Sequence, residues 1–198
     1  MPKIVDHDAY RKVMLEKCFD LFSKKGFHNV SMREICKEIG VSTGTLYHYF
    51  PAKENILEQM LPWAVETNIA AFSRDTENNL TLHQRLDEVA KFWGESEEFY
   101  KNLILLVIDL LREGNENSDK VFKYVIDIYK IGLTQNLHIS PKLSKVIFTY
   151  LLGIIFNSLL TPNDSSYQDE ILFLQEVLGS MLQEDEFSEV EFLKKMHG

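Results

Sequence analysis

Between Ser31 and Lys53 the chain carries hydroxyl, imidazole and guanidinium groups at spacings that set them on the outer faces of two short helices. Ser31 and Glu34 stand three residues apart. At that spacing a serine oxygen accepts from a backbone N–H one turn on and the glutamate reaches back, so the pair predicts a helix start. Arg33, just inside, has a planar fork of donors that fits the two major-groove acceptors of guanine. Ser42 is a second capping residue. Once Leu46 and Phe50 turn inward, Ser42, Thr43, Thr45 and His48 are left outside. These groups suit hydrogen bonding to base edges and phosphates.

The elements that must position them are short. Met32, Ile35, Cys36 and Ile39 recur at helical spacing and make one apolar face. Gly40 ends that helix, since glycine adopts the left-handed conformation of a C-terminal cap. The next helix runs to about Phe50, Pro51 stops it, and Lys53 and Glu54 open a third. Two short helices joined by a turn with glycine have the geometry that lays the second in a major groove.

The stretch Phe19–Leu57 resembles the N-terminal DNA-binding domain of the tetracycline-repressor (TetR) family of one-component transcriptional regulators. The resemblance is carried by Leu21-Phe22, Gly26-Phe27, Ser31-Met32-Arg33-Glu34-Ile35, Gly40-Val41-Ser42, Gly44-Thr45-Leu46-Tyr47, Tyr49-Phe50 and Lys53-Glu54. These stand in fixed register without gaps, and the resemblance covers roughly residues 9–60. Cys18 and Cys36 stand where the family more often has alanine; both are small and apolar. The resemblance implies that Thr43, Gly44 and His48 approach base edges. Gly44 would let the backbone come close, and His48 would hydrogen-bond or stack on a thymine methyl. It implies that Ser31, Thr45, Tyr47, Tyr49 and Lys53 bind phosphate, setting register without reading sequence. With Arg33 and Ser42 these are the expected DNA-binding residues. For Tyr47 and Tyr49 the competing reading is core packing with the hydroxyl at the rim.

Charge agrees once it is divided. The chain of 198 residues has a net charge of −9. Residues 1–60 hold nine basic and eight acidic residues, net +1, and the remainder holds twelve and twenty-two, net −10. Lys3, Arg11, Lys12, Arg33, Lys37 and Lys53 could line one surface, and phosphate binding needs a basic face rather than a basic protein. The asymmetry points to two jobs. We therefore expect a helix-turn-helix domain at 1–50 and an effector-binding and dimerisation domain at 51–198.

No stretch alternates as a strand would, and the pattern is helical throughout. The expected class is all-α, about nine helices, with a three-helix N-terminal domain and a helical ligand-binding and dimerisation domain. Helix 1 is expected from about Asp8 to Lys25, with Leu15, Phe19 and Phe22 on one face. Helix 4 begins near Ala52, and Pro62 should kink it or end it near Leu61. A polar break at 73–81 precedes helices at Thr81–Trp93, Ser96–Glu113 and Asp119–Leu137. Ser140 and Pro141 start the most apolar helix, Lys142–Leu160, which reads as buried on both sides. A turn at 162–166 leads to Tyr167–Gln183, whose Ile171, Leu174, Leu178 and Met181 form a narrow seam for packing along another helix. The tail, 184–198, reads as a short helix or as disordered. Two such terminal helices predict a homodimer through about 142–160 and 167–183, as a four-helix bundle across a two-fold axis; the resemblance implies the same. The alternative is that both fill the monomer's own core.

Trp63, Phe92, Trp93, Phe99, Phe122, Tyr129, Phe148 and Phe156 are the candidate ligand-binding residues. The resemblance implies an apolar cavity for a largely apolar small-molecule effector that moves the DNA-binding domain; ordinary core is the other reading. No apolar run reaches the 18 or so residues of a membrane span. No secretory signal follows the start, so a cytoplasmic protein without a membrane partner is expected. Cys18 and Cys36 read as buried reduced thiols, with a redox sensor the other reading. The six histidines are scattered and none pairs at metal-ligand spacing, so no metal or cofactor is expected. The motifs of zinc peptidases, nucleophile elbows, phosphate loops and Cys-x-x-Cys redox sites are absent, so an enzyme is not expected. The expected partner is palindromic operator duplex, bound by a repressor that its effector releases. A DNA-binding factor with no effector, architectural or replication-linked, is the alternative.

Overall fold

A computed structural model describes residues 6–74, 80–114, 117–162 and 166–183. Among them it has nine helices and no strand: α1 His7–Lys25, α2 Met32–Ile39, α3 Thr43–Tyr49, α4 Lys53–Arg74, α5 Leu82–Glu95, α6 Glu97–Glu113, α7 Ser118–Leu137, α8 Pro141–Leu160 and α9 Ser166–Gln183. The tail at 184–198, Lys3, and parts of the stretches at 73–81 and 162–166 lie outside the described residues.

The chain forms two compact units, Met1–Asn68 with Asn102–Ile126, and Ile69–Lys101 with Asp127–Gly198. Packing thus groups α4 to Asn68 and the stretch 102–126 with the N-terminal helices.

In the first unit, α1 buries Met14, Leu15, Cys18, Leu21 and Phe22, one stripe at helical spacing. Cys18 takes the place expected for Phe19, which is half-buried. Burial, reinforced by Cys36, pushes the Cys18 thiol up to about 12, which keeps it protonated and inert at neutral pH. Leu46 and Phe50 are fully buried under α3. Phe50 is extended (φ −137°), the conformation required of a residue before proline, and so α3 ends there.

Helix α4 settles one of two alternatives: it does not end near Leu61. It runs through Pro62 without a break. Proline removes one backbone donor, but Ile56, Leu57, Met60 and Leu61 before it and Ala64 and Val65 after it are all buried. Packing on both sides holds the helix where propensity alone would end it.

In the second unit, α9 packs on α5 and α8. Ile171 and Leu178 are buried within the chain, while Met181 is 38% exposed. The seam read from sequence therefore serves the protomer's own core. Helix α8 is capped by the Ser140 hydroxyl, which accepts from the Leu143 N–H at 3.3 Å, with Pro141 in the first turn. Within one protomer only one of its sides is buried. Leu143, Ile147, Leu151, Ile154 and Ile155 face in, and Tyr150, Gly153, Phe156 and Leu160 face out. Its length and composition, contrary to the sequence expectation, would suit a membrane span; here its inner face is core.

Candidate nucleic-acid interface

Helices α2 and α3 are joined by a turn that the backbone makes cheap. Gly40 has φ +76°, its N–H donates to the Cys36 carbonyl at 3.0 Å, and nothing lies within 4 Å of a Cβ placed on it. The left-handed conformation alone is what demands glycine there.

Each helix starts on a polar cap. The Ser31 N–H donates to Glu34 Oε2 at 2.8 Å, the Glu34 N–H to Ser31 Oγ at 3.3 Å, and the Ser31 hydroxyl also reaches Glu34 Oε2 at 2.8 Å. The Ser42 hydroxyl accepts from the Thr45 N–H at 3.0 Å and lies 2.7 Å from the Thr45 hydroxyl. Ser31, Ser42 and Thr45 are thus holding helix ends, and a phosphate would have to share them.

The bond from the Ser31 N–H, and after it that from the Ser31 hydroxyl, holds the Glu34 carboxyl below its ordinary range. A lowered carboxylate contributes stability above its unfolded value and loses it as pH falls through the folded one. The melting temperature of Glu34→Ala should therefore lie below wild type at neutral pH, with the gap narrowing below about pH 4. Acid melts with a constant gap would show that the ionised cap contributes nothing.

Arg33, Thr43, Gly44, Tyr47 and His48 are exposed. Gly44 has only the Ser42 hydroxyl oxygen, 3.9 Å away, near a Cβ placed on it, so its backbone can be approached closely. Tyr47 is 47% exposed and Tyr49 only 8%. Tyr49 follows the core-packing reading: its hydroxyl lies 2.6 Å from His7 Nδ1, and its ring packs edge-on against Tyr10 and under the Arg11 guanidinium.

Lys53 also departs from the expectation. Its ammonium donates to the carbonyls of Phe27 (2.9 Å) and Val30 (3.0 Å) and sits 4.2 Å from the Phe27 ring centroid. It fastens the start of α4 to the α1–α2 loop, a structural use that competes with phosphate contact. The basic set is partly spent in the same way, since Arg11 lies over Tyr49 while Lys12 and Lys37 stay exposed.

Two residues escaped the sequence reading. His7 joins α1 to α3 through Tyr49. His28, in the α1–α2 loop, lies 3.5 Å from Asp109 and 3.6 Å from Glu113 of α6, within the first unit. Neither had a local signal, since their partners are remote in sequence.

The candidate effector residues separate. Trp93 stacks on Tyr100 (4.1 Å, 14°), and Tyr129 lies between Trp93 (5.7 Å) and Phe148 (5.8 Å). Burial drives the Tyr100 and Tyr129 hydroxyls upward, and the Tyr167 hydroxyl donates to the Trp93 carbonyl at 2.8 Å. Phe99 meets Tyr100 edge-on, and Phe92 pairs with Phe72. Trp63 and Phe122 belong to the first unit. Phe156 is corrected outright: it is 51% exposed on the outer face of α8. Beside Trp93 a cavity of about 20 Å³ is lined by Leu86, Leu137, Ile147, Leu151 and Ile171, room for about one water. Among the described residues no cluster of three His, Cys, Asp or Glu side chains could hold a metal ion.

The family model for bacterial regulatory proteins of the tetR family matches residues 15–60. The HTH-type transcriptional regulator UidR of Escherichia coli K12 is 30% identical over 107 residues, 54% of this chain and 53% of that protein. The chain spans about half the length of the curated relatives it matches. Among solved structures, reduced E. coli NemR has a TM-score of 0.67 at 16% identity, covering 86% of this chain and 97% of its own. The transcriptional regulator FadR of Bacillus subtilis, solved with stearoyl-CoA, has a TM-score of 0.62 at 18% identity, covering 85% and 97%. At these identities the likeness is one of fold.

Proposed function

We propose, because this chain belongs to the tetR family of bacterial regulatory proteins, that it is a one-component transcriptional repressor that a small-molecule ligand releases from a palindromic operator. The observation that carries the reading is the pair α2–α3, joined at Gly40, with Arg33, Thr43, Gly44, Tyr47 and His48 exposed on it. Residues 1–50 are the DNA-binding part, and 51–198 bind effector and make the dimer. The protein acts in the cytoplasm and catalyses no reaction.

Dimerisation is supported by the face that α8 and α9 leave open. Tyr150, Phe156 and Leu160 recur along α8, and Leu172 and Phe173 lie along α9, all 41–67% exposed. Exposed apolar side chains gathered on two neighbouring helices suit an interaction site. A two-fold pair presents two recognition helices to half-sites about 34 Å apart. The effector is largely apolar, as the rings around Tyr100 suggest. FadR, of the same fold, was solved with stearoyl-CoA.

The test uses duplexes cut from the DNA flanking the protein's own gene. Footprinting should find a palindrome, and Arg33→Ala should weaken it by about 1–3 kcal/mol while relaxing preference at one base pair per half-site. A uniform loss across all sequences would move Arg33 from base reading to phosphate binding. Absence of any protected sequence would sink the operator reading.

A further inference from the structure

We propose that His7 is a phosphate-binding residue at the flank of the recognition helix, fixed by Tyr49. The inference rests on α3 being the recognition helix.

The geometry is specific. His7 Nδ1 is 2.6 Å from the Tyr49 hydroxyl, and its ring centroid lies 5.9 Å from that of Tyr49 and 6.4 Å, edge-on, from that of His48. His7 and His48 are exposed, while Tyr49 is 8% exposed. Tyr49 is therefore a post anchored in the core, and His7 is the exposed group fastened to it. A helix about 10–12 Å across fills a major groove about 12 Å wide. A side chain standing 6 Å from His48, on a different helix, is then placed at the groove wall, where the phosphates are.

The bond also sets the ring's chemistry. A phenol is the better donor, and donating to Nδ1 it leaves the ring proton on Nε2. Nε2–H is then the remaining hydrogen-bonding group of an exposed ring, a donor suited to phosphate oxygen.

Among the described residues, the groups around His7 are these. On α1 and its cap, Asp6 accepts from the N–H groups of Asp8 and Ala9 (3.1 and 3.0 Å), Asp8 lies 4.0 Å from Arg11, and Arg11 lies over the Tyr49 ring. Tyr10 packs on Tyr49 from α1, and His48 and Tyr49 face His7 from α3. Tyr49 acts as a positioning residue, which explains why it is buried although the resemblance puts it at phosphate.

Fluorescence anisotropy on a labelled random-sequence duplex, across a salt series at a single pH, tests this. A phosphate contact made by a charged group steepens the log–log salt slope by about one unit for each chain bound. His7→Lys should therefore steepen the slope by about that amount, and His7→Ala should lower affinity for all sequences alike. Tyr49→Phe, which frees the ring, should lower affinity as His7→Ala does, and the two losses should not add. Circular dichroism melts confirm that each variant is folded, and His7→Lys carries the test if His7→Ala is not. An unchanged slope in His7→Lys overturns the proposal. Failure of wild type to bind the duplex at low salt overturns the DNA-binding reading, and His7's role with it.

Discussion

Phe156→Glu and Phe173→Glu are each expected to yield a folded monomer that has lost most of its operator affinity. Both rings are more than half exposed in the protomer, at 51% and 57%, so a glutamate at either site costs the isolated fold little. In a two-fold dimer each substitution counts twice. Burying one such ring stabilises the pair by about 1.5–3 kcal/mol. A buried unpaired carboxylate costs several kcal/mol more per site. Together these exceed what an ordinary dimer interface can lose. A monomer then holds one half-site, and the loss of the linked second contact should lower operator affinity about 10²- to 10⁴-fold. Sedimentation equilibrium, with circular dichroism to confirm helix content, measures both parts. A dimer that survives both substitutions would place the interface elsewhere.

How much of this was legible depends on how local the cause was. The caps at Ser31 and Ser42 and the turn at Gly40 involve residues within four positions, and the sequence pattern located all three. Tyr47 and Tyr49 could not be ranked by type. They are two residues apart on a helix, about 200° around it, so one must face out when the other faces in. Leu46 and Phe50 do not say which, because the two tyrosines lie at equal angles on either side of their mean direction; the packing of His7 and Tyr10 from α1 on Tyr49 decides it. Lys53 was beyond reach because its acceptors, the carbonyls of Phe27 and Val30, lie 26 and 23 residues back and are made available by the loop's conformation. Phe156 failed for a different reason. A helix apolar all round carries no periodic signal, so the pattern could not separate the face that fills the core from the face left open. Pro62 left two outcomes open, a kink or an end, and packing on both sides of it excludes the end because propensity is a weak prior.

Trp93→Ala is expected to destabilise the protein by about 3–5 kcal/mol, the range for removing a buried large aromatic. Trp93 is 4% exposed, stacks on Tyr100, and has its carbonyl held by Tyr167. For a chain of this length the melting temperature should fall by roughly 6–20 °C. The adjoining cavity of about 20 Å³ would grow by the volume of an indole, enough to take a small apolar ring without water. Added indole should therefore recover part of the lost melting temperature in Trp93→Ala and leave wild type unchanged. The same packing bears on the proposed effector. A ligand of ordinary size does not fit this space as it stands, so binding beside Trp93 would have to separate rings now in contact. A ligand found to release the operator should then bind about 5- to 150-fold more weakly in its presence. If Trp93→Ala cost under about 1 kcal/mol, packing would not be the reason for the ring. Contact with the effector would then be left as its use, and wild type would have to hold a pocket that needs no opening.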